Sequence, residues 1–206
     1  MTRSARTGAT SEWEGRLDGE GLAGEVSLGL ARFLALLSRW NQATDLVASP
    51  DPSTLLGYVR EALAGLPWVP AEGRLLDVGS GSGMPAVPLL LARPRMQGVL
   101  LEPRERRWAF LREVVRELDL PAEVRRERLA SHPGSGYDVM TVRGVAAPAW
   151  LAEGPRVLRP SARVLWWTSA RNAAQLGDMV AEGHVVECPL PSPAIGTIAI
   201  WQRCST

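Results

Sequence analysis

Leu75-Leu76-Asp77-Val78-Gly79-Ser80-Gly81-Ser82-Gly83 decides the fold. A short apolar run suited to a buried strand passes into three glycines at alternate positions, and Met84 and Pro85 lead into a helical stretch. Glycine lacks a Cβ, so such a turn accepts positive φ and lets the backbone at the start of a helix approach a ligand closely. Glu102 ends the next apolar run, some twenty residues on, where an acidic side chain can accept hydrogen bonds from both hydroxyls of a ribose.

Outward from this segment the chain alternates short apolar runs with helical stretches. The runs are 75–78, 99–101, 123–125, 137–142, 163–167, 185–188 and 195–201; the helices are expected at 85–92, 104–118, 148–157 and 172–180. The alternation predicts a mostly parallel sheet with helices on both faces, joined by right-handed crossovers. Only Pro189 to Ala194 separate the last two runs, too few residues for a crossover, so those two should pair antiparallel. The expected fold class is therefore α/β, a doubly wound, Rossmann-like sheet of seven strands.

Upstream, Leu30, Phe33, Leu34 and Leu37 repeat with the period of a helix that Trp40 closes. Asp51-Pro52 is a helix start, and Leu55, Val59, Ala62, Leu63 and Leu66 line one side of the helix that follows, up to Pro67. These two helices, within 27–70, form an N-terminal helical cap that must pack on the domain at 71–206. Residues 1–26 show no sustained apolar period and are expected to form a frayed or weakly helical tail.

Composition bounds the rest. Hydrophobic residues make up 46% and charged residues 22%, the balance of a globular chain. No stretch approaches the roughly 20 apolar residues of a membrane span, and the N-terminus lacks a signal-peptide core, so a cytoplasmic protein without membrane contact is expected. Two cysteines, Cys188 and Cys204, have no metal-site spacing and read as packing residues; no metal is expected. All 23 basic residues are arginine and the net charge is +1, so any nucleic-acid site must be a local patch.

The dinucleotide fingerprint is G-x-G-x-x-G; here the order is Asp77-x-Gly79-x-Gly81-x-Gly83, which resembles the signature of class I methyltransferases. The negative charge of Asp77 suits an ammonium and a sulfonium better than a pyrophosphate. The expected cofactor is S-adenosyl-methionine rather than NAD.

Four further stretches narrow the resemblance: Arg39-Trp40-Asn41 with Leu46, Gly83-Met84-Pro85-Ala86-Val87-Pro88, Arg104 to Arg116, and Val142-Arg143-Gly144-Val145-Ala146. Over roughly residues 30–168 the chain resembles the bacterial small-subunit rRNA guanine-N7 methyltransferase family, also called the glucose-inhibited division protein B family. The resemblance implies a cofactor site built from Asp77, Gly79, Ser80, Gly81, Gly83, Met84, Glu102, Pro103, Arg104, Leu129, Ala130 and Arg143. It also implies that Arg143 and Asn41 face the acceptor, and that the partner is small-subunit rRNA or a ribosomal particle. This chain departs from the family pattern at Asp45 (usually asparagine), Tyr58 and Glu61 (usually His and Asp), Ala86 (usually glycine) and Thr168 (usually lysine).

No catalytic general base is expected. Guanine N7 carries a free lone pair, so methyl transfer to it needs alignment and exclusion of water rather than proton removal. His132 reads as a loop residue and His184 as the start of a strand, while Trp108 and Trp150 read as core. Arg104, Arg106, Arg107 and Arg112 form either a phosphate-facing patch or, with Glu105 and Glu113 interleaved, a solvated helix face. The departures leave a second acceptor class open, a small metabolite methylated by a diverged paralogue. A non-catalytic binding protein is a third reading, opposed by the intact glycine loop.

Overall fold

The computed structural model describes residues 3–180, 183–192 and 194–202, and opens with three helices, α1 (Arg3–Leu17), α2 (Gly24–Asn41) and α3 (Pro52–Leu63). There follow β1 (Glu72–Val78), α4 (Ala86–Ala92), β2 (Arg95–Leu101), α5 (Glu105–Glu117), β3 (Ala122–Arg125) and β4 (Tyr137–Arg143). Next come α6 (Ala147–Leu151), α7 (Gly154–Val157), β5 (Leu158–Thr168), α8 (Ala170–Met179), β6 (His184–Pro189) and β7 (Thr197–Gln202). The seven strands form one sheet in the order β3-β2-β1-β4-β5-β7-β6. β1 to β5 run parallel, and β7 is antiparallel to both β5 and β6. The doubly wound class and the closing hairpin are as the sequence predicts.

Side chains of the central strands alternate between two cores, as the pleat requires when both faces are covered. Leu75, Leu100, Val139 and Leu165 face the core shared with α2, α3, α4 and α5. Leu76, Leu101, Met140 and Val164 face the other core, where Trp150, Trp166 and Trp201 cluster, with Trp150 edge-on to Trp166 at 5.7 Å between centroids. The strand order reverses between β1 and β4, and the parallel register sets Val78 beside both Leu101 and Val142. Gly79, Glu102 and Arg143 therefore emerge at one end of the sheet, at the crevice where doubly wound folds bind ligands.

The cap follows from local rules. Asp51 accepts the Thr54 N–H at 3.2 Å and Pro52 occupies the first helical position, so α3 starts where expected. It stops at Leu63, earlier than predicted; Leu66 and Pro67 lie in a separate 3₁₀ turn, and a Cβ on Gly65 would come within 2.7 Å of Trp167, so only glycine lets the chain turn there. The helix expected over 148–157 is likewise broken into α6 and α7, because Pro155 pre-sets the first turn of a new helix and offers no N–H to an older one.

The tail expectation needs the larger correction. Arg3–Leu17 is a helix packed against α2, with Trp13 and Leu17 buried in the cap core. Two large apolar residues four apart are enough to seat one face, although they are too few to register as a period. Arg60 holds the following turn through Glu20. Cys188 is a free thiol packed against the core; Cys204 lies outside the described residues.

Candidate active site

Positive φ at Gly79 (74°), Gly81 (51°) and Gly83 (83°) turns β1 sharply into the approach to α4. The last two glycines have different reasons to be there. A Cβ on Gly83 would press on Val87 at 2.9 Å and Phe33 at 3.3 Å, so this glycine serves helix packing. A Cβ on Gly81 would meet Arg107 Nη1 at 3.5 Å and the Gly79 carbonyl at 3.6 Å, ordinary contacts, so what requires glycine here is the positive φ rather than packing.

The loop does not present its N–H groups as the sequence suggested. Gly79 and Ser80 donate to the Leu101 carbonyl at 2.9 and 3.0 Å, and Gly83 donates to the Ser80 carbonyl at 2.7 Å. The Gly81 N–H goes to Glu102 Oε2 at 3.0 Å. With these four donors spent inside the protein, the turn lacks the ring of free amides that cradles a phosphate. What it offers instead is negative charge.

That charge is Asp77, buried in β1. Its Oδ1 accepts the Thr141 hydroxyl at 2.6 Å, whereas Oδ2 is buried with no partner among the described residues. Burial pushes the carboxyl up to about 6, partly offset by the hydroxyls of Thr141 and Ser80 and reinforced by the charge of Glu102. An unsatisfied buried carboxylate oxygen is costly, and an arriving ammonium removes that cost. The residues present therefore fit the amino-acid end of S-adenosyl-methionine better than they fit any anion.

Glu102 is buried too, but it has a structural duty that its sequence position did not reveal. Oε2 holds the Gly81 N–H and Oε1 accepts the Arg104 N–H at 2.8 Å, so the carboxylate ties the two loops together. A carboxylate has about four lone-pair sites, so both oxygens can still receive ribose hydroxyls. Met84 is buried beside the loop, Pro103 is half-buried and Arg104 exposed. Leu129 and Ala130 sit in the 3₁₀ turn after β3, where Arg156 grips the Leu129 carbonyl at 3.1 Å.

Arg143 is held by two of the residues that depart from the family pattern. Its Nη2 donates to Glu61 Oε2 at 2.5 Å, and its guanidinium lies over the Tyr58 ring at 4.8 Å. Nη1 is buried and without a partner among the described residues, which leaves one arm of the fork for a ligand. Asn41, expected to face the acceptor, instead spends its carbonyl on the N–H groups of Leu46 (2.9 Å) and Val47 (3.0 Å), folding the loop after α2. His132 lies in a loop, as read, but is buried between Glu127 and Tyr137, 2.7 Å from each. No group of three His, Cys, Asp or Glu side chains among the described residues could hold a metal, and no helix is long and apolar enough to cross a membrane.

Comparison with known proteins identifies the family and the fold. The family model for rRNA small subunit methyltransferase G matches residues 28–177. The chain is 36% identical over 155 residues to the ribosomal RNA small subunit methyltransferase G of Xanthomonas axonopodis pv. citri, covering 72% of each chain. It is 34% identical over 180 residues to that of Stenotrophomonas maltophilia, covering 85% of this chain and 84% of the relative. Among solved structures, a SAM-dependent methyltransferase from Aquifex aeolicus superposes with a TM-score of 0.60 at 16% identity, over 82% of this chain and 98% of that one. TYW2 of P. horikoshii, solved in complex with MeSAdo, gives 0.56 at 11% identity over 71% and 61%. At such identities the structures speak for the fold alone.

Proposed function

From the premise that the chain belongs to the rRNA small subunit methyltransferase G family and is an S-adenosyl-methionine-dependent methyltransferase, we propose that it methylates guanine N7 of small-subunit rRNA. The observation that carries the cofactor assignment is the orphaned Oδ2 of Asp77 behind a loop whose amides are already spent. When bound, the cofactor supplies an electrophilic methyl group on a sulfonium.

Asp77 holds the ammonium end, Glu102 receives the ribose hydroxyls, and Gly81 leaves room for the backbone to meet the ligand. The Leu129–Ala130 turn flanks the adenine. Arg143, fixed by Glu61 and Tyr58, turns its unspent arm toward the acceptor or the cofactor carboxylate. A guanine oxygen or a phosphate suits that planar donor. Nothing at this end of the sheet needs to take a proton, since N7 attacks through a free lone pair. Consistent with that, His132 is committed to Glu127 and Tyr137, and His184 lies on β6. The substrate places the enzyme in the cytoplasm, where ribosomal particles assemble.

The test is incubation with labelled S-adenosyl-methionine and, separately, small ribosomal subunits, naked small-subunit rRNA and a small-molecule extract. Label is expected in a ribosomal substrate. Incorporation only into the small-molecule fraction would replace this reading with that of a metabolite methyltransferase.

A further inference from the structure

The first turn of α5 gathers positive charge where helix physics disfavours it. Arg104 stands at the N-cap and Arg106 and Arg107 in the opening turn, beside the positive end of the macrodipole. Helix stability gives no reason for them, and neither does ion pairing. Glu105 faces Arg126 at 3.4 Å, while Glu113 pairs with Arg39 and accepts the Trp40 indole N–H at 3.1 Å. No carboxylate among the described residues lies within ion-pair distance of Arg104, Arg106 or Arg107. The acids interleaved with them in sequence are turned elsewhere, so this is not a self-neutralised helix face.

These arginines line a cleft of about 670 Å³ whose opposite wall is Trp40, Thr44 and Asp45. Arg107 spans it, donating to the Asp45 carbonyl at 3.1 Å, and its Nη1 lies 3.5 Å from where a Cβ of Gly81 would stand. The cleft thus adjoins the mouth of the cofactor loop. Against it stands Asp45, an acid with no ion-pair partner among the described residues, at a position where the family pattern usually has asparagine.

We propose that this cleft binds the phosphodiester backbone of the RNA beside the acceptor base, with the guanidinium forks of Arg104, Arg106 and Arg107 against phosphate oxygens. The proposal rests on the rRNA reading above and gives it a surface. Planar guanidinium donors match phosphate geometry; no carboxylate among the described residues pairs with these three, although Arg107 gives one donor to the Asp45 carbonyl, and a chain of net charge +1 must concentrate its attraction locally. Asp45 repels the backbone and lowers the affinity of this particular chain.

The experiment measures binding of naked small-subunit rRNA by wild-type enzyme, Arg106→Glu, Arg106→Gln and Asp45→Asn, each saturated with S-adenosyl-homocysteine, from about 50 to about 200 mM salt. Each phosphate contact removed should flatten the slope of log affinity against log salt by about one. Arg106→Gln should do this, Arg106→Glu should do more and lower affinity roughly tenfold, and Asp45→Asn should raise it a few fold. All should bind S-adenosyl-homocysteine as the wild type does, which also certifies their folding. Wild-type slopes in both Arg106 variants would overturn the proposal while leaving the rRNA reading intact. Effects seen only with assembled small subunits, not with naked rRNA, would also overturn it and point to a ribosomal protein. A wild-type enzyme that neither binds nor methylates rRNA would remove the reading underneath.

Discussion

Replacing Asp77 by asparagine should strengthen the ligand-free protein with rising pH and weaken its hold on the cofactor, two effects of opposite sign from one atom. Asparagine keeps the acceptor for the Thr141 hydroxyl but cannot ionise. In the wild type the carboxyl titrates at about 6 in the fold against 3.8 when exposed. A raised acid stabilises the fold below pH 3.8, and that contribution is lost as pH climbs through about 6. The full loss corresponds to about two pH units, on the order of 3 kcal/mol. Urea titrations of the ligand-free wild type at pH 4 and pH 8 should therefore show a fall of that order relative to Asp77→Asn. The comparison is of slopes, because the new amide leaves its own donors buried and shifts the variant by a constant amount. Calorimetry with S-adenosyl-methionine at pH 8 should show affinity reduced by about 1.5–3 kcal/mol, the value of a hydrogen bond to a charged group, and wild-type affinity should climb as pH rises through 6. Parallel pH profiles for the two proteins, together with equal affinities, would refute the assignment of Asp77 as the buried anion that meets the cofactor.

Gly81→Val should abolish cofactor binding, because its side chain crowds the front of the loop and its φ of 51° strains the turn; calorimetry that returned wild-type affinity would move the pocket elsewhere. Glu102→Ala should cost stability as well as affinity, about 2–4 kcal/mol in urea titration, because the N–H groups of Gly81 and Arg104 lose their acceptor. A variant of unchanged stability would show that the bond pair is not holding the loops. Arg143→Ala should lower kcat/KM for rRNA roughly ten- to hundredfold, the loss of one charged donor, with little change in cofactor affinity; equal losses in both would assign its free arm to the cofactor instead.

The strands, the parallel winding and the closing hairpin could be read from period and spacing, because alternation of buried runs with helices favours a doubly wound sheet; the order of the strands across the sheet was not read from the sequence. The site was readable only as a set of residue types. Asp77, Glu102 and Arg143 declared themselves as polar groups at strand ends, but their partners are 21 to 82 residues distant in sequence, at Thr141, Gly81 and Glu61. Nothing local to Arg143 shows that Tyr58 and Glu61, read only as departures, converge on it from the cap. Asn41, assigned to the acceptor by resemblance alone, has a second duty hidden for a related reason: its partners at Leu46 and Val47 belong to a loop whose path the sequence does not specify. The buried His132 illustrates the same limit, since Pro133 and Gly134 mark a loop without saying that Glu127 and Tyr137 close over its ring. Trp13 and Leu17 were missed because a docked helix with two anchors carries too weak a period to be seen.

Methyl transfer to guanine N7 in small-subunit rRNA, the proposed reaction, can be read out by nucleoside analysis with mass spectrometry. Small-subunit rRNA lacking the modification is treated with the enzyme and S-adenosyl-methionine, digested, and its methylated nucleosides are identified. N7-methylguanosine should accumulate with wild-type enzyme and be absent with Gly81→Val. An rRNA that gains no methyl group, or gains it on any other atom, would contradict the account.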